Sequence, residues 1–143
     1  MITVQLEYDD VEKPDIDENW VRSVCKNIFM DSKENEASIT IIFSNDYKLR
    51  NLKNIYFGDN VFTDTISFNL EEEGEPIEGE VYISLERVSE NAHTFKQDFI
   101  IECKRVIIHG CLHLLGYNDE LPKDKIKMIQ LEETYLSHNI RVN

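Results

Sequence analysis

The sequence has few cysteines and no long apolar segment, and each absence excludes a class of protein. Its three cysteines, Cys25, Cys103 and Cys111, are an odd number and have no Cys-x-x-Cys spacing. Neither a disulfide-stapled scaffold nor a four-cysteine zinc ribbon is therefore expected. No apolar run approaches the roughly 20 residues that a membrane span needs, and the N-terminal segment lacks the basic start and apolar stretch of a secretory signal. These features predict a soluble cytoplasmic protein with reduced thiols and no membrane association.

Basic residues are also scarce. Fifteen Lys and Arg stand against 28 Asp and Glu, which gives a formal net charge of −13. Binding to nucleic acid through a broad basic face requires Lys and Arg to neutralise phosphates, so the composition argues against that mode but leaves room for a local basic patch. Six of the acidic residues lie between positions 71 and 80, and much of the excess charge is therefore expected in one solvated loop.

The hydrophobic pattern predicts alternating strands and helices in a chain that is long enough for one core. Strands are predicted over residues 2–8, 37–43, 61–69 and 80–85. Helices are predicted from Pro14 to about Met30, from Ser44 or Asn45 to about Phe57, from about Ser89 to Leu115, and from Lys123 to about His138. No repeat or long linker divides the chain, so residues 1–143 are expected to form a single α+β domain. In this fold a four-stranded mixed sheet packs with four to five helices.

The segment HGCLHLLGYND, residues 109–119, contains the residues with the clearest chemistry. His109 and His113 are four residues apart on a predicted helix, so both imidazoles can bind one metal ion. Gly116 can end the helix in a left-handed conformation and turn Asp119 back as a third ligand. Three protein ligands and an open position are typical of a catalytic zinc site. Alternatively, the histidines are a packed or surface pair without metal, and Asp119 is a cap or a solvated acid.

The same spacing resembles the metzincin protease pattern H-E-x-x-H-x-x-G-x-x-H with two differences. Asp119 takes the place of the last histidine, and Gly110 takes the place of the glutamate that serves as general base. Without that carboxylate, peptide hydrolysis lacks the group that activates water. A metalloprotease is therefore an alternative hypothesis and not the preferred one.

The segment 109–119 also resembles the signature H-G-x-L-H-L-x-G-Y-D-H of the YbeY family of bacterial endoribonucleases and ribosomal RNA maturation factors. Two upstream segments extend the resemblance over most of the chain: TDTISF at 63–68 is similar to the family's T-D-V-L-S-F, and GEVYIS at 79–84 is similar to its G-D-I-x-I-S. The resemblance implies a metal-dependent hydrolase that cleaves single-stranded RNA in small-subunit (16S) ribosomal RNA maturation and ribosome quality control. Its implied partners are ribosomal RNA, the small ribosomal subunit, and ribosomal or GTPase proteins.

Transferred by position, the resemblance makes His109 and His113 the first two ligands of one Zn²⁺ ion and places Asp119 where the family has a third histidine. Aspartate is a competent zinc ligand. A second departure is Phe57, which replaces the arginine of the family's Y-R-G segment. Arg50, earlier on the same predicted helix, is a possible substitute for that arginine as a phosphate clamp.

Other titratable residues are given weaker roles. A metal-bound water is the expected nucleophile, and no protein general base is assigned. Glu102 lies seven residues before His109 on nearly the same helix face. It is therefore a poor direct metal ligand and at most a residue that supports a ligand by a hydrogen bond. Cys111 faces away from the site as a packing residue, and His93 and His138 are expected on the surface. The cations form either an RNA-facing patch or an ordinary solvated helix face; they are Arg87, Lys96, Lys104 and Arg105.

Three functions are therefore compatible with the sequence. The first is a zinc-dependent endoribonuclease, the second is a metzincin-like protease, and the third is a non-catalytic ribosome-assembly factor that uses zinc only for stability. The acidic charge and the missing arginine fit the third function, whereas the open three-ligand site fits the first.

Overall fold

Alternating apolar residues build a four-stranded mixed sheet, as the sequence predicts. The computed structural model describes residues 1–138. Its strands are β1 (Ile2–Tyr8), β2 (Ala37–Ser44), β3 (Thr65–Asn69) and β4 (Ile77–Ser84). They lie in the order β1-β2-β4-β3; β1, β2 and β4 run parallel, and β3 is antiparallel to β4 at one edge. The mixed sheet confirms the predicted α+β fold.

Five helices occur in residues 1–138, and polar side chains cap most of their N-termini. The helices are α1 (Glu18–Asp31), α2 (Asp46–Phe57), α3 (Leu85–Thr94), α4 (Phe99–Leu114) and α5 (Pro122–Leu136). The first four begin after a side chain that accepts backbone N–H groups of the first turn; these caps are Asp17, Asn45, Ser84 and Asp98. None of these helices has the length and apolar character needed to cross a membrane.

Helix α4 lies at the centre of the hydrophobic core. It packs on one face of the sheet and also against α1, α3 and α5, which is why its buried residues occur on nearly all sides. Strand residues 39, 41, 81 and 83 supply fully buried side chains on this face. Helix α2 packs on β3 and β4, where Phe68 and Tyr82 point away from α4 because neighbouring strand residues alternate between faces.

The prediction of one continuous helix from Ser89 to Leu115 is wrong. The chain forms α3 and α4 with a break between them, where Lys96 has a φ of 54°. Asp98 then accepts the N–H groups of Ile100 and Ile101 and starts a new helix. Phe95 ends up 67% exposed after α3, rather than on the apolar stripe with Phe99.

Several predicted boundaries also move. Strand β3 begins at Thr65 instead of residue 61, because its partner β4 ends at Ser84 and leaves nothing for residues 61–63 to pair with. Helix α1 begins at Glu18 rather than near Pro14, since Asp17 accepts the N–H groups of Asn19 and Trp20. Strand β4 begins three residues earlier than predicted, at Ile77. The acidic loop is correspondingly confined to residues 70–76.

Gly110 allows α4 to approach the sheet closely. A Cβ atom at this position would overlap Cγ1 of Val81. The Ser67 hydroxyl donates to the Gly110 carbonyl at 2.8 Å, and the Asn69 amide donates to the Leu114 carbonyl at 2.9 Å. Edge strand β3 thus fixes the position of the helix segment that carries both histidines.

We expect the Gly110→Ala substitution to lower the free energy of unfolding of the metal-free chain by about 1–3 kcal/mol, because the new methyl group overpacks against Val81. Urea unfolding checks this. In the Val81→Ala background, where space is available, the same substitution should cost clearly less. An equal cost in both backgrounds would show that the Val81 contact is not the reason for glycine at this position.

Candidate metal centre

His109 and His113 lie one helical turn apart on α4 and turn their rings towards each other. The two Nε2 atoms are 2.9 Å apart, and the ring planes meet at 80°. Both side chains are partly buried. The helical geometry predicted from their spacing is therefore present, and it brings two nitrogen donors to one point.

The other nitrogen of each ring is held by an acceptor. Nδ1 of His109 lies 2.7 Å from the Glu132 carboxylate, and Nδ1 of His113 lies 3.0 Å from the Tyr117 carbonyl oxygen. A carbonyl or carboxylate oxygen can only accept, so each Nδ1 must carry the proton. In neutral rings both Nε2 atoms then present lone pairs to each other, an arrangement that needs a proton or a cation between them.

Asp119 reaches this point through the turn that follows α4. Gly116 has a φ of 96°, and its N–H donates to the His113 carbonyl, which ends the helix as the sequence predicts. Oδ2 of Asp119 lies 3.5 Å from Nε2 of His109. One donor atom from each of His109, His113 and Asp119 lies within 4.8 Å of the others, so the three residues could hold a metal ion. The Asp119 side chain is 44% exposed, which leaves one side of the centre open to solvent.

Glu132 is the residue of this centre that sequence reasoning missed. It lies on α5, 23 residues after His109, and its carboxylate is buried. The available signal was weak: Glu132 follows the buried Met128 by one helical turn, so an acid occupies the apolar face of α5. Such a position calls for a partner, but nothing in the spacing identifies that partner as His109.

The environment shifts the pKa values of the two histidines in opposite directions. Burial opposes the charged ring of His109, but the hydrogen bond and charge of Glu132, with Asp119 and Asp64, raise its pKa above the usual value. Burial and the charge of His109 lower the pKa of His113. A single proton shared by the pair therefore belongs mainly to His109.

Asp64 is a second acid whose position the sequence did not assign. It lies in the loop before β3, where the Asn91 amide approaches its carboxylate at 3.4 Å. Burial raises the pKa of Asp64, and the positive charge of His109 partly offsets this effect. Asp64 is therefore a partly buried acid whose charge interacts with that of His109.

Two of the four predicted cations, Arg87 and Arg105, are held in ion pairs, whereas Lys96 is exposed. Arg105 contacts the carboxylates of Glu102, Glu132 and Glu133 at 3.5, 3.5 and 3.0 Å. Burial raises the pKa of Glu102 despite this arginine, and Glu102 does not contact His109 directly. Arg87 is paired with Asp46 at 2.8 Å. The ammonium of Lys104 lies 4.6 Å from the centre of the Trp20 ring.

The remaining predicted residues are placed as follows. Cys111 is fully buried with its sulfur 3.6 Å from that of Cys25, which confirms the packing role. His93 is exposed as predicted. His138 is only partly buried, but its ring contacts Ser23 and Asn27 of α1 at 3.0 and 3.1 Å and is not a free surface side chain.

Phe57 occupies the position where the family resemblance expects an arginine that binds phosphate, and Arg50 is the predicted substitute for that arginine. Both residues lie on α2. Phe57 is the last residue of the helix, and the Lys53 ammonium lies 5.1 Å from its ring centre. The Arg50 guanidinium lies 5.4 Å from the ring centre of Phe62 in the following loop. Position 57 thus has a neighbouring cation even though it is not itself basic.

The chain resembles known proteins along most of its length. A family model described as "Endoribonuclease YbeY" matches residues 2–139. The chain is 40% identical to the endoribonuclease YbeY of Amoebophilus asiaticus over 132 residues, which cover 91% of this chain and 86% of that protein. It is 41% identical to the endoribonuclease YbeY of Flavobacterium psychrophilum over 118 residues, covering 82% and 81%. The solution structure of TM1509 from Thermotoga maritima matches with a TM-score of 0.61 and 26% identity, covering 94% of this chain and 87% of that one.

We expect nitrogen NMR of the metal-free chain at alkaline pH to show both His109 and His113 as the Nδ1–H tautomer, because an oxygen acceptor holds each Nδ1. The Glu132→Ala substitution should release His109 into a mixture of tautomers and leave His113 unchanged as the internal control. A His109 ring with its proton on Nε2 in the unsubstituted chain would contradict the assigned geometry.

Proposed function

Because the chain belongs to the Endoribonuclease YbeY family, a family of hydrolytic nucleases, we propose that it cleaves single-stranded RNA at a zinc ion bound by His109, His113 and Asp119. We further propose that it acts in the cytoplasm on 16S ribosomal RNA, in maturation and in ribosome quality control. Its proposed partners are the small ribosomal subunit and ribosomal or GTPase proteins.

The metal proposal rests on one observation: donor atoms of His109, His113 and Asp119 converge, and the other ring nitrogen of each histidine is already held by an oxygen acceptor. Two imidazole nitrogens and one carboxylate oxygen are a donor set that zinc accepts, and three ligands leave a position open. Both histidines also make the hydrogen bond through Nδ1 that metal-binding imidazoles almost always make. The residues present therefore fit a zinc ion.

When bound, zinc supplies Lewis acidity, which activates water and stabilises the negative charge that develops on a phosphodiester. The protein's contribution is to hold the ligands. Glu132 fixes the ring of His109, and the Tyr117 carbonyl fixes that of His113. Arg105 in turn binds the Glu132 carboxylate, so the contacts that orient the centre extend from α4 to α5.

The structure also weighs against the protease alternative. A metzincin requires a glutamate at the position of Gly110, but this position faces Val81, Ser67 and Thr65 of the sheet at contact distance. Even a methyl group has too little space there. A carboxylate at residue 110 could not serve as general base without displacing α4 from β4.

Zinc content tests the ligand set. The unsubstituted chain should retain one zinc ion per molecule after dialysis, and His109→Ala or His113→Ala should remove it. Asp119→Ala should retain the ion only weakly, because an oxygen ligand on the open side is lost. The control is His93→Ala, which changes an exposed histidine outside the centre. Elemental analysis and chelator competition measure these effects, and an Asp119→Ala chain that holds zinc as tightly as the unsubstituted chain would refute the third ligand.

Cleavage of a labelled single-stranded RNA tests the activity. The zinc-loaded chain should cut it, a chelator should stop the reaction, and His113→Ala should lower the rate by at least roughly 100-fold, the scale for losing one group that stabilises transition-state charge. His93→Ala should cut normally, and casein should remain intact. Equal RNA cleavage by the native, chelated and His113→Ala samples would indicate a contaminating nuclease. A zinc-loaded chain without any cleavage would favour the assembly-factor alternative.

A further inference from the structure

The end of α2 and the loop that follows it expose several large aromatic side chains. Tyr56, Phe57 and Phe62 are 64%, 53% and 51% exposed. Single exposed apolar residues are common, but neighbouring exposed rings usually mark a binding surface. The aromatic–cation surface is defined here as Arg50, Lys53, Phe57 and Phe62.

Cations lie over the rings of this surface. The Lys53 ammonium is 5.1 Å from the ring centre of Phe57, and the guanidinium groups of Arg50 and Arg87 are 5.4 and 4.7 Å from that of Phe62. Within residues 1–138, no ion pair involves Arg50 or Lys53, whereas Arg87 is bound to Asp46. In a chain with a net charge of −13, two cations without acidic partners beside exposed rings form a local site for an anion.

The partly buried ring of Phe68 and its aromatic neighbours support one side of the surface. Phe68 of β3 stacks on Phe57 with ring centres 6.0 Å apart, and it makes edge contacts with Tyr56 and Tyr82 at 5.1 and 5.9 Å. These contacts fix the plane of the Phe57 ring while half of the side chain stays exposed. A ring that is held in place loses little conformational freedom when a ligand stacks on it.

The surface continues towards the metal centre. Phe62 precedes Asp64 by two residues, a distance of at most about 7 Å along the backbone, and the charge of Asp64 acts on His109. Phe62 therefore joins this surface, which lies on the sheet face opposite α4, to the loop that carries Asp64.

We propose that the aromatic–cation surface binds single-stranded RNA, with unpaired bases stacked on Phe57 and Phe62 and phosphates bound by Arg50 and Lys53. This inference rests on the proposed function, because it treats the bound strand as the substrate of the metal centre. Exposed rings with adjacent cations are the combination that binds single strands without sequence preference. The surface also accounts for Phe57, where the resemblance expects arginine: a stacking ring beside Lys53 takes over the contact with RNA.

The test is the binding of a fluorescein-labelled single-stranded oligoadenylate to the full chain in chelator, so that binding is measured without cleavage. Phe62→Ala and Phe57→Ala should each raise the dissociation constant roughly 5- to 100-fold, the range for losing one base–aromatic stack. Phe62→Trp should bind at least as tightly as the unsubstituted chain, whereas Phe62→Leu, which keeps apolar volume but has no ring, should bind weakly. The matched control is Phe95→Ala, which removes an exposed ring at the end of α3.

Salt dependence tests the cations separately. Replacing Arg50 and Lys53 by Gln should reduce the slope of log binding constant against log salt by about 1.4, since each phosphate contact on a single strand contributes about 0.7. Lys26→Gln, a change to an exposed lysine of α1, should leave the slope unchanged. Double-stranded RNA of the same length should bind more weakly than the single strand, because its bases are already stacked in pairs.

The proposal would be overturned if Phe57→Ala and Phe62→Ala bound the oligoadenylate as tightly as the unsubstituted chain, or if single-stranded and double-stranded RNA bound equally. Either result would indicate that the aromatic–cation surface binds a protein instead. Thermal unfolding of each variant ensures that a weaker complex does not reflect a lost fold. The proposed function can fail independently: if the zinc-loaded chain never cuts RNA but the ring and cation variants bind as expected, the surface is an RNA-binding site without catalysis.

Discussion

The close packing of α4 on the sheet is the constraint on which the candidate metal centre depends. Gly110 and the hydroxyl of Ser67 bring the helix against β3 and β4, and the two histidines flank this point of contact on either side in sequence. Because α4 is buried on nearly all sides, its rotation about its own axis is fixed by the core. The direction in which His109 and His113 point is therefore a property of the whole fold rather than of the local segment.

The acidic residues are unevenly distributed over the structure. The acidic loop at residues 70–76 follows β3, and Asp64 precedes it. Five strand residues separate the two by roughly 17 Å, more than the screening length of about 8 Å at physiological ionic strength. Most carboxylates near the histidines are also engaged, since Glu102, Glu132 and Glu133 share Arg105. A net charge of −13 thus does not by itself determine the local field at Asp64 and His109.

Local patterns allowed most of the fold to be predicted from the sequence, and long-range contacts account for the errors. Alternation and runs of β-branched residues predict the four strands, and the spacing of His109, His113 and Gly116 predicts the geometry of the helix and the turn that follows. The break between α3 and α4 escaped detection because residues 95–98 contain neither Gly nor Pro, and a positive φ at Lys96 has no sequence signature. Strand β3 was extended too far because its length is set by where β4 ends.

The supporting residues of the centre were harder to predict than the candidate ligands. His109, His113 and Asp119 lie within one short segment, so helical geometry relates them. Glu132 and Asp64 reach His109 from α5 and from the loop before β3, and only the packing of these elements on α4 brings them close. The same reason explains His138: its contact with Ser23 joins residues 115 positions apart, which no local pattern encodes.

The order of elements along the chain has a consequence for synthesis. All four strands are complete at Ser84, whereas α4, which covers one face of the sheet, begins at Phe99. Domains are made from the N-terminus at about 5–20 residues per second, so a growing chain exposes the part of this apolar face that α1 does not cover until α4 follows. During that interval the nascent sheet, with its exposed edge strands, is a target for chaperones and for aggregation. Synthesis of α4, the helix that carries the candidate ligands, thus also ends the interval in which the nascent sheet is most exposed to aggregation.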